Sequence, residues 1–167
     1  MRNAAEKAFQ AWRAVLAALL RLEMDKLLQK AKTEVEKRWL VEKAVLGAST
    51  TEIVVLSQVL ADVGYAGSLQ STALALVLRD YRYHGPAPDV ALSKFRNRQE
   101  VAVAALVLLK EVVARVEQLE PRVGCGAELE EVLRALRVEL AGGKSDTSVG
   151  QRERQVSPSR AEPSVGF

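Results

Sequence analysis

The chain has 167 residues, of which 49% are apolar and 27% charged, with a formal charge of +3. That length suits one domain able to bury a core without staples, and the mild charge gives no global argument for nucleic acid. One cysteine, Cys125, rules out an intramolecular disulfide, and one histidine, His84, rules out a His/Cys cluster for a transition metal, so neither metal nor cofactor is expected.

The pattern along the chain is helical. From Asn3 to Ala31, apolar residues recur at Ala5, Phe9, Trp12, Leu16, Leu19, Leu20, Leu27 and Leu28, the three-to-four spacing of a core-facing stripe, which predicts one long helix. "TEVE" at 33–36 is a capping box that restarts a helix carrying Trp39 and Leu40 up to Gly47. "STTE" at 49–52 repeats the device for a helix stopping at Gly64. After "GYAGS", a helix from about Leu69 runs to His84, where Gly85 and Pro86 end it. "GPAPD" reads as a turn and residues 89–95 as a short helical piece. "NRQE" at 97–100 is a third box, opening the most apolar helix, which runs to Glu120 before Pro121 and is expected to be buried on several sides. A last amphipathic helix covers 127–140. The remainder lacks periodicity and is rich in Ser, Gly, Pro and Arg, a composition expected to stay disordered. The expectation is an all-α, up-and-down helical bundle over residues 1–141, with a disordered tail over 142–167.

Several motifs fall away on spacing. "AVLAALL" at 14–20 is bracketed by Arg13 and Arg21, and "VAVAALVLL" at 101–109 is under half the roughly 20 residues of a bilayer span. With no export signal visible, a soluble, cytoplasmic protein without membrane partners is expected. "GGKS" at 142–145 lacks the earlier glycine and preceding strand of a P-loop, and "GYAG" lacks the strand-turn-helix of a dinucleotide site. Cys125, between two glycines, reads as a bystander in a turn.

Residues 79–98 carry the chemistry. Arg79, Arg82, Lys94, Arg96 and Arg98 outnumber Asp80 and Asp89, and Tyr81, Tyr83 and Phe95 interleave them, so cations and stacking rings share one segment where RNA could bind. An arginine fork can neutralise a phosphate on which charge develops, and an imidazole can take or give a hydroxyl proton near neutrality. Residues five apart on a helix diverge by about 140°, but unwinding at Gly85 and Pro86 would let His84 fold back toward Arg79. The plainer role for His84 is to complement a helix C-terminus with its cationic form.

"NAAEKAFQAWRAVLAALL" at 3–20, "RDYRYHGPAPDVALSKFRNRQEVA" at 79–102 and "LLKEVVARVEQL" at 108–119 resemble the archaeal PaREP family, small helical proteins similar to HEPN domains. The resemblance spans about residues 3–122 and leaves the 127–140 helix outside. Many HEPN proteins are homodimers that cleave RNA without metal through an arginine and a histidine separated by four to six residues. Carried onto this chain, the resemblance implies Arg79 as the phosphate clamp, His84 as general acid/base and Asp80 as the polar residue orienting one of them. Arg82, Tyr81, Tyr83, Lys94, Arg96 and Arg98 are the candidate nucleic-acid contacts.

Two functions stand side by side. One is a metal-independent endoribonuclease, the toxin half of a toxin-antitoxin or defence pair with an antitoxin-like partner protein. The other is a non-catalytic nucleotide-binding or protein-interaction bundle. A homodimer is expected in either case, covering an apolar face around Phe9, Trp12 and Leu16 or along the 98–120 helix.

Deleting residues 144–167 is predicted to leave the thermal midpoint nearly unchanged, because little apolar surface there could join a core. A calorimetric midpoint lower by many degrees would mean that the tail docks on the bundle.

Overall fold

A computed structural model of the protein describes residues 1–46, 49–124 and 126–142, and among these residues it contains seven helices and no strand. The expected helix end at Gly47, the turn at Cys125 and the tail from residue 143 lie outside them. None of the described helices is long and apolar enough to cross a membrane.

The first helix, α1 (Arg2–Leu22), buries the stripe Ala5, Ala8, Phe9, Trp12, Val15, Leu16, Leu19 and Leu20. It lies between α5 (Ser68–His84) and α6 (Arg98–Val123), and α5 also packs on α4 (Glu52–Asp62). Trp12 is fully buried, which makes it the largest single apolar contribution of the core; truncating such a ring to alanine costs about 3–5 kcal/mol. Its indole N–H donates to Thr72 Oγ1 at 2.8 Å, and Thr72 Oγ1 lies 2.5 Å from Ser57 Oγ. Ser57 spends its proton on the Ile53 carbonyl at 2.7 Å, so Thr72 is the donor between the two hydroxyls. One directed chain of hydrogen bonds therefore joins α1, α5 and α4 and satisfies every polar side chain that it buries.

The expected first helix is interrupted at Glu23, where φ is −100° and ψ 10°, and continues as α2 (Met24–Lys30). Backbone bonds persist across the break, Glu23 N–H to Leu19 O and Leu27 N–H to Glu23 O, both 3.0 Å. The cause is the Glu23 side chain, only 1% exposed, whose carboxylate accepts from Tyr65 Oη at 2.7 Å and pairs with Lys26 at 2.5 Å and with Arg122. These contacts tie the α1–α2 joint to the turn after α4 and to the last turn of α6.

Two of the three boxes close reciprocally as expected. Thr33 Oγ1 accepts from Glu36 N–H and Glu36 returns to Thr33 N–H, at 3.1 and 3.2 Å, opening α3 (Glu34–Leu46). Ser49 and Glu52 do the same ahead of α4 at 3.4 and 2.9 Å. At α6 the device is displaced by one residue: Asn97 Oδ1 accepts from Gln99 and Glu100 N–H, while Glu100 reaches back to Arg96 N–H at 2.8 Å.

The short helix expected over residues 89–95 does not form; the segment is turns and bends. Asp89 and Ser93 offer the backbone an alternative, accepting from Ala91 and Phe95 N–H respectively, both at 3.2 Å, and Ala87 N–H closes on Phe95 O at 2.9 Å. The α6 helix also runs one turn past its expected end, carrying Pro121 to Val123 before Gly124 stops it at φ 73°. Its expected burial on several sides is not observed either: Val101, Ala105, Leu108, Val112 and Val113 are buried, while Val103, Leu106 and Val107 are exposed. The last helix, α7 (Ala127–Gly142), buries only Leu133 and adds an Arg137–Glu117 ion pair of 2.7 Å to its packing on α6.

Lys26, Arg122 and Tyr65 hold the Glu23 carboxyl at about 2, down from an ordinary 4.5, against the opposing effect of its burial. A depressed folded-state value contributes stability that is complete above pH 4.5 and is lost as the pH falls toward 2. Replacing Glu23 by Gln is predicted to cost about 1–2 kcal/mol near neutrality and to flatten the acid limb, as read by urea unfolding across that pH range. An unchanged acid limb in E23Q would count against this linkage.

Candidate functional site at the end of α5

The last two turns of α5 carry Arg79, Asp80, Tyr81, Arg82, Tyr83 and His84. At about 100° per residue, Arg79, Arg82 and Tyr83 fall along one flank of the helix, and Asp80 and His84 along the other. The helix keeps this phase to its end, because Gly85 N–H still bonds Tyr81 O at 2.7 Å and the chain leaves only at Gly85, with φ 70° and ψ −162°. That conformation suits glycine alone, so the break is fixed one residue after the histidine rather than before it. The expected folding back of His84 toward Arg79 therefore does not occur.

The first flank faces α1 and the start of α4. The half-buried Arg79 guanidinium donates to Thr50 Oγ1 and lies 5.3 Å from the Phe9 ring centroid and 5.8 Å from that of Tyr83. Arg82 pairs with Glu6 on α1 at 2.7 Å and lies 5.8 Å from the centroid of the same Tyr83 ring. Tyr83 is 60% exposed. Arg13 adds a third guanidinium, 5.8 Å from Phe9. Glu6 accepts from Gln10 at 2.7 Å, and that amide, with Arg82 beside it, holds its carboxyl below the usual range. The result is a cationic ridge between α1 and α5 carrying one exposed aromatic ring with two guanidinium neighbours.

The second flank is smaller. His84 Nε2 lies 3.4 Å from Asp80 Oδ1, both side chains being nearly half exposed. Asp80 thus meets the histidine and not the arginine. Tyr81 is 1% exposed and packs edge-on against Phe95, centroids 5.9 Å apart and planes at 85°, so its ring is closed to a base. In the following loop Lys94 and Arg96 are exposed, as is Arg98 at the start of α6, and Arg96 binds Glu100 at 2.9 Å. Among the described residues no group of three or more His, Cys, Asp or Glu could hold a metal ion.

Sequence reasoning alone missed Glu6, Phe9, Arg13 and Thr50. The first three share a face of α1 at helical spacing, but nothing local says that this face meets α5, and Thr50 reads only as part of a cap.

A model of the Archaeal PaREP1/PaREP8 family matches residues 1–106, which takes in α1 to α5, the loop after His84 and the start of α6, and leaves α7 outside. No curated protein and no solved structure matches the chain.

The two candidate residues are predicted to separate in stability. Arg79→Ala removes a side chain that joins α5 to Thr50 and Phe9 and should lower stability by about 1–2 kcal/mol, whereas the exposed His84→Ala should stay within about 0.5 kcal/mol. Chemical denaturation of both variants checks this; equal effects would contradict the inward placement of Arg79.

Proposed function

The chain belongs to the archaeal PaREP1/PaREP8 family, and from that premise we propose that it is a non-catalytic bundle that binds single-stranded RNA or a nucleotide on the α1–α5 ridge. The observation that carries this reading is the exposed Tyr83 ring with Arg79 and Arg82 each 5.8 Å from its centroid. A base stacks on such a ring, and guanidinium groups beside it neutralise the adjoining phosphate. Arg82 remains 47% exposed while paired with Glu6, and its fork has donors to spare. Arg96 in the loop and Arg98 at the start of α6 would extend the path of the backbone, whereas Tyr81 belongs to the core and takes no part.

A second reading keeps the HEPN-like endoribonuclease, alone or as the toxin of a toxin-antitoxin pair, and one observation favours it: the Asp80 carboxylate at 3.4 Å from His84 Nε2 can orient the imidazole for proton transfer. One chain supplies one histidine, so a two-histidine mechanism needs the second from another copy.

Fluorescence anisotropy with single-stranded RNA in EDTA is predicted to show salt-sensitive binding that leaves the RNA intact, weakened about tenfold by Tyr83→Ala or Arg82→Ala and little by His84→Ala. Absence of binding overturns the first reading. Cleavage in EDTA that falls at least about a hundredfold in H84A replaces it with the second.

A further inference from the structure

A hollow of about 420 Å³ lies where α2, α3 and α4 meet, and it shares no residue with the α1–α5 ridge. Its origin is in the packing: α3 lies on α1 and α2, whereas α4 lies on α1 and α5, which leaves space between α3 and α4. Each helix turns residues three or four apart toward that space, Leu27 and Lys30 on α2, Glu36 and Leu40 on α3, Val55 and Val59 on α4. Leu27 and Leu40 are buried and join the core beneath. Above them the Trp39 indole is half-buried and Val55 is 50% exposed, so the upper wall is apolar and open. A concave, mostly apolar space of this volume with a few polar groups at its rim has the form of a small-molecule site.

The rim decides what fits. Its formal charges cancel, Lys30 and Lys32 against Glu36 and Asp62, but its hydrogen-bonding capacity does not. Glu36 is committed to capping α3, accepting from Lys32 and Thr33 N–H at 2.7 and 3.2 Å, and Asp62 takes the Gln58 amide at 3.5 Å. Lys30 gives one of its three donors to the Asp62 carbonyl at 2.5 Å, tying the end of α2 to the end of α4. The Lys32 ammonium has no partner among the described residues. Donors are therefore left over at the rim. We infer that the hollow binds a small amphipathic anion, an aliphatic or aromatic body with a single carboxylate, the body lying against Trp39, Val55 and Val59 and the carboxylate on Lys32 with Lys30 beside it. An apolar cation would meet Lys32 and find the acids engaged, and a polyphosphate would bring several charges against Glu36 and Asp62. This site stands independently of what the α5 ridge binds.

Trp39 supplies the readout, because the other tryptophan, Trp12, is sealed in the core. Decanoate titrated into the full chain should change the tryptophan emission saturably, and the change should vanish in Trp39→Phe. Lys32→Glu and Val55→Glu, both at exposed positions and so compatible with an unchanged helical spectrum, should each weaken decanoate binding at least about tenfold, and decylamine should bind at least about tenfold more weakly than decanoate. The inference is overturned by a response that does not saturate, by one that survives Trp39→Phe, by an affinity that neither glutamate substitution lowers, or by decylamine binding as well as decanoate. Emission that shifts with protein concentration in the absence of decanoate would mean that a second copy fills the hollow, and overturns it too.

Discussion

The phase of α5 is the constraint from which the functional reading follows. As long as the helix holds to His84, Arg79 and His84 are turned about 140° from each other, and in the structure the guanidinium and the imidazole lie on different flanks with different partners. Two features hold the phase. Tyr81, one turn before the end, is buried against Phe95, and Gly85 is the first residue able to leave the helix. What remains on each flank then acts separately: a ridge of arginines with one exposed ring, and an imidazole with one carboxylate.

That separation depends in turn on how α1 is seated. Trp12 anchors α1 to Thr72 and, through it, to Ser57 on α4, and this fixes the height at which Glu6 and Phe9 meet Arg82 and Arg79. The ridge is thus a product of core packing more than of surface charge. The same arginines and ring on an isolated helix would carry as much charge but would lack the Glu6, Phe9 and Thr50 that set their positions.

Much of the architecture could be read from the residues because it is local. The stripe of α1, the Thr33–Glu36 and Ser49–Glu52 boxes and the glycine after His84 each act within one or two turns, and each behaves in the structure as its spacing says. What escaped depends on partners distant in sequence. The break at Glu23 arises from Tyr65 and Arg122, which lie 42 and 99 positions away, and the periodicity of the helix carries no trace of them. The helix expected after Pro88 lost to side-chain bonds from Asp89 and Ser93, and the apolar richness of α6 proved to include a face that the other described residues leave exposed. At the site, the residue types were legible and their grouping was not. Arg79 and His84 stand close in sequence and look like a pair, yet their partners are Thr50 and Phe9 for the first and Asp80 for the second.

The central claim is this division of the two flanks, and nuclear Overhauser contacts from assigned side chains measure it most directly. The Arg79 side-chain protons should show contacts to the Phe9 and Tyr83 rings, and the His84 imidazole protons to Asp80, with none between Arg79 and His84. A direct Arg79–His84 contact, alongside loss of the Arg79–Phe9 contact, would contradict the account.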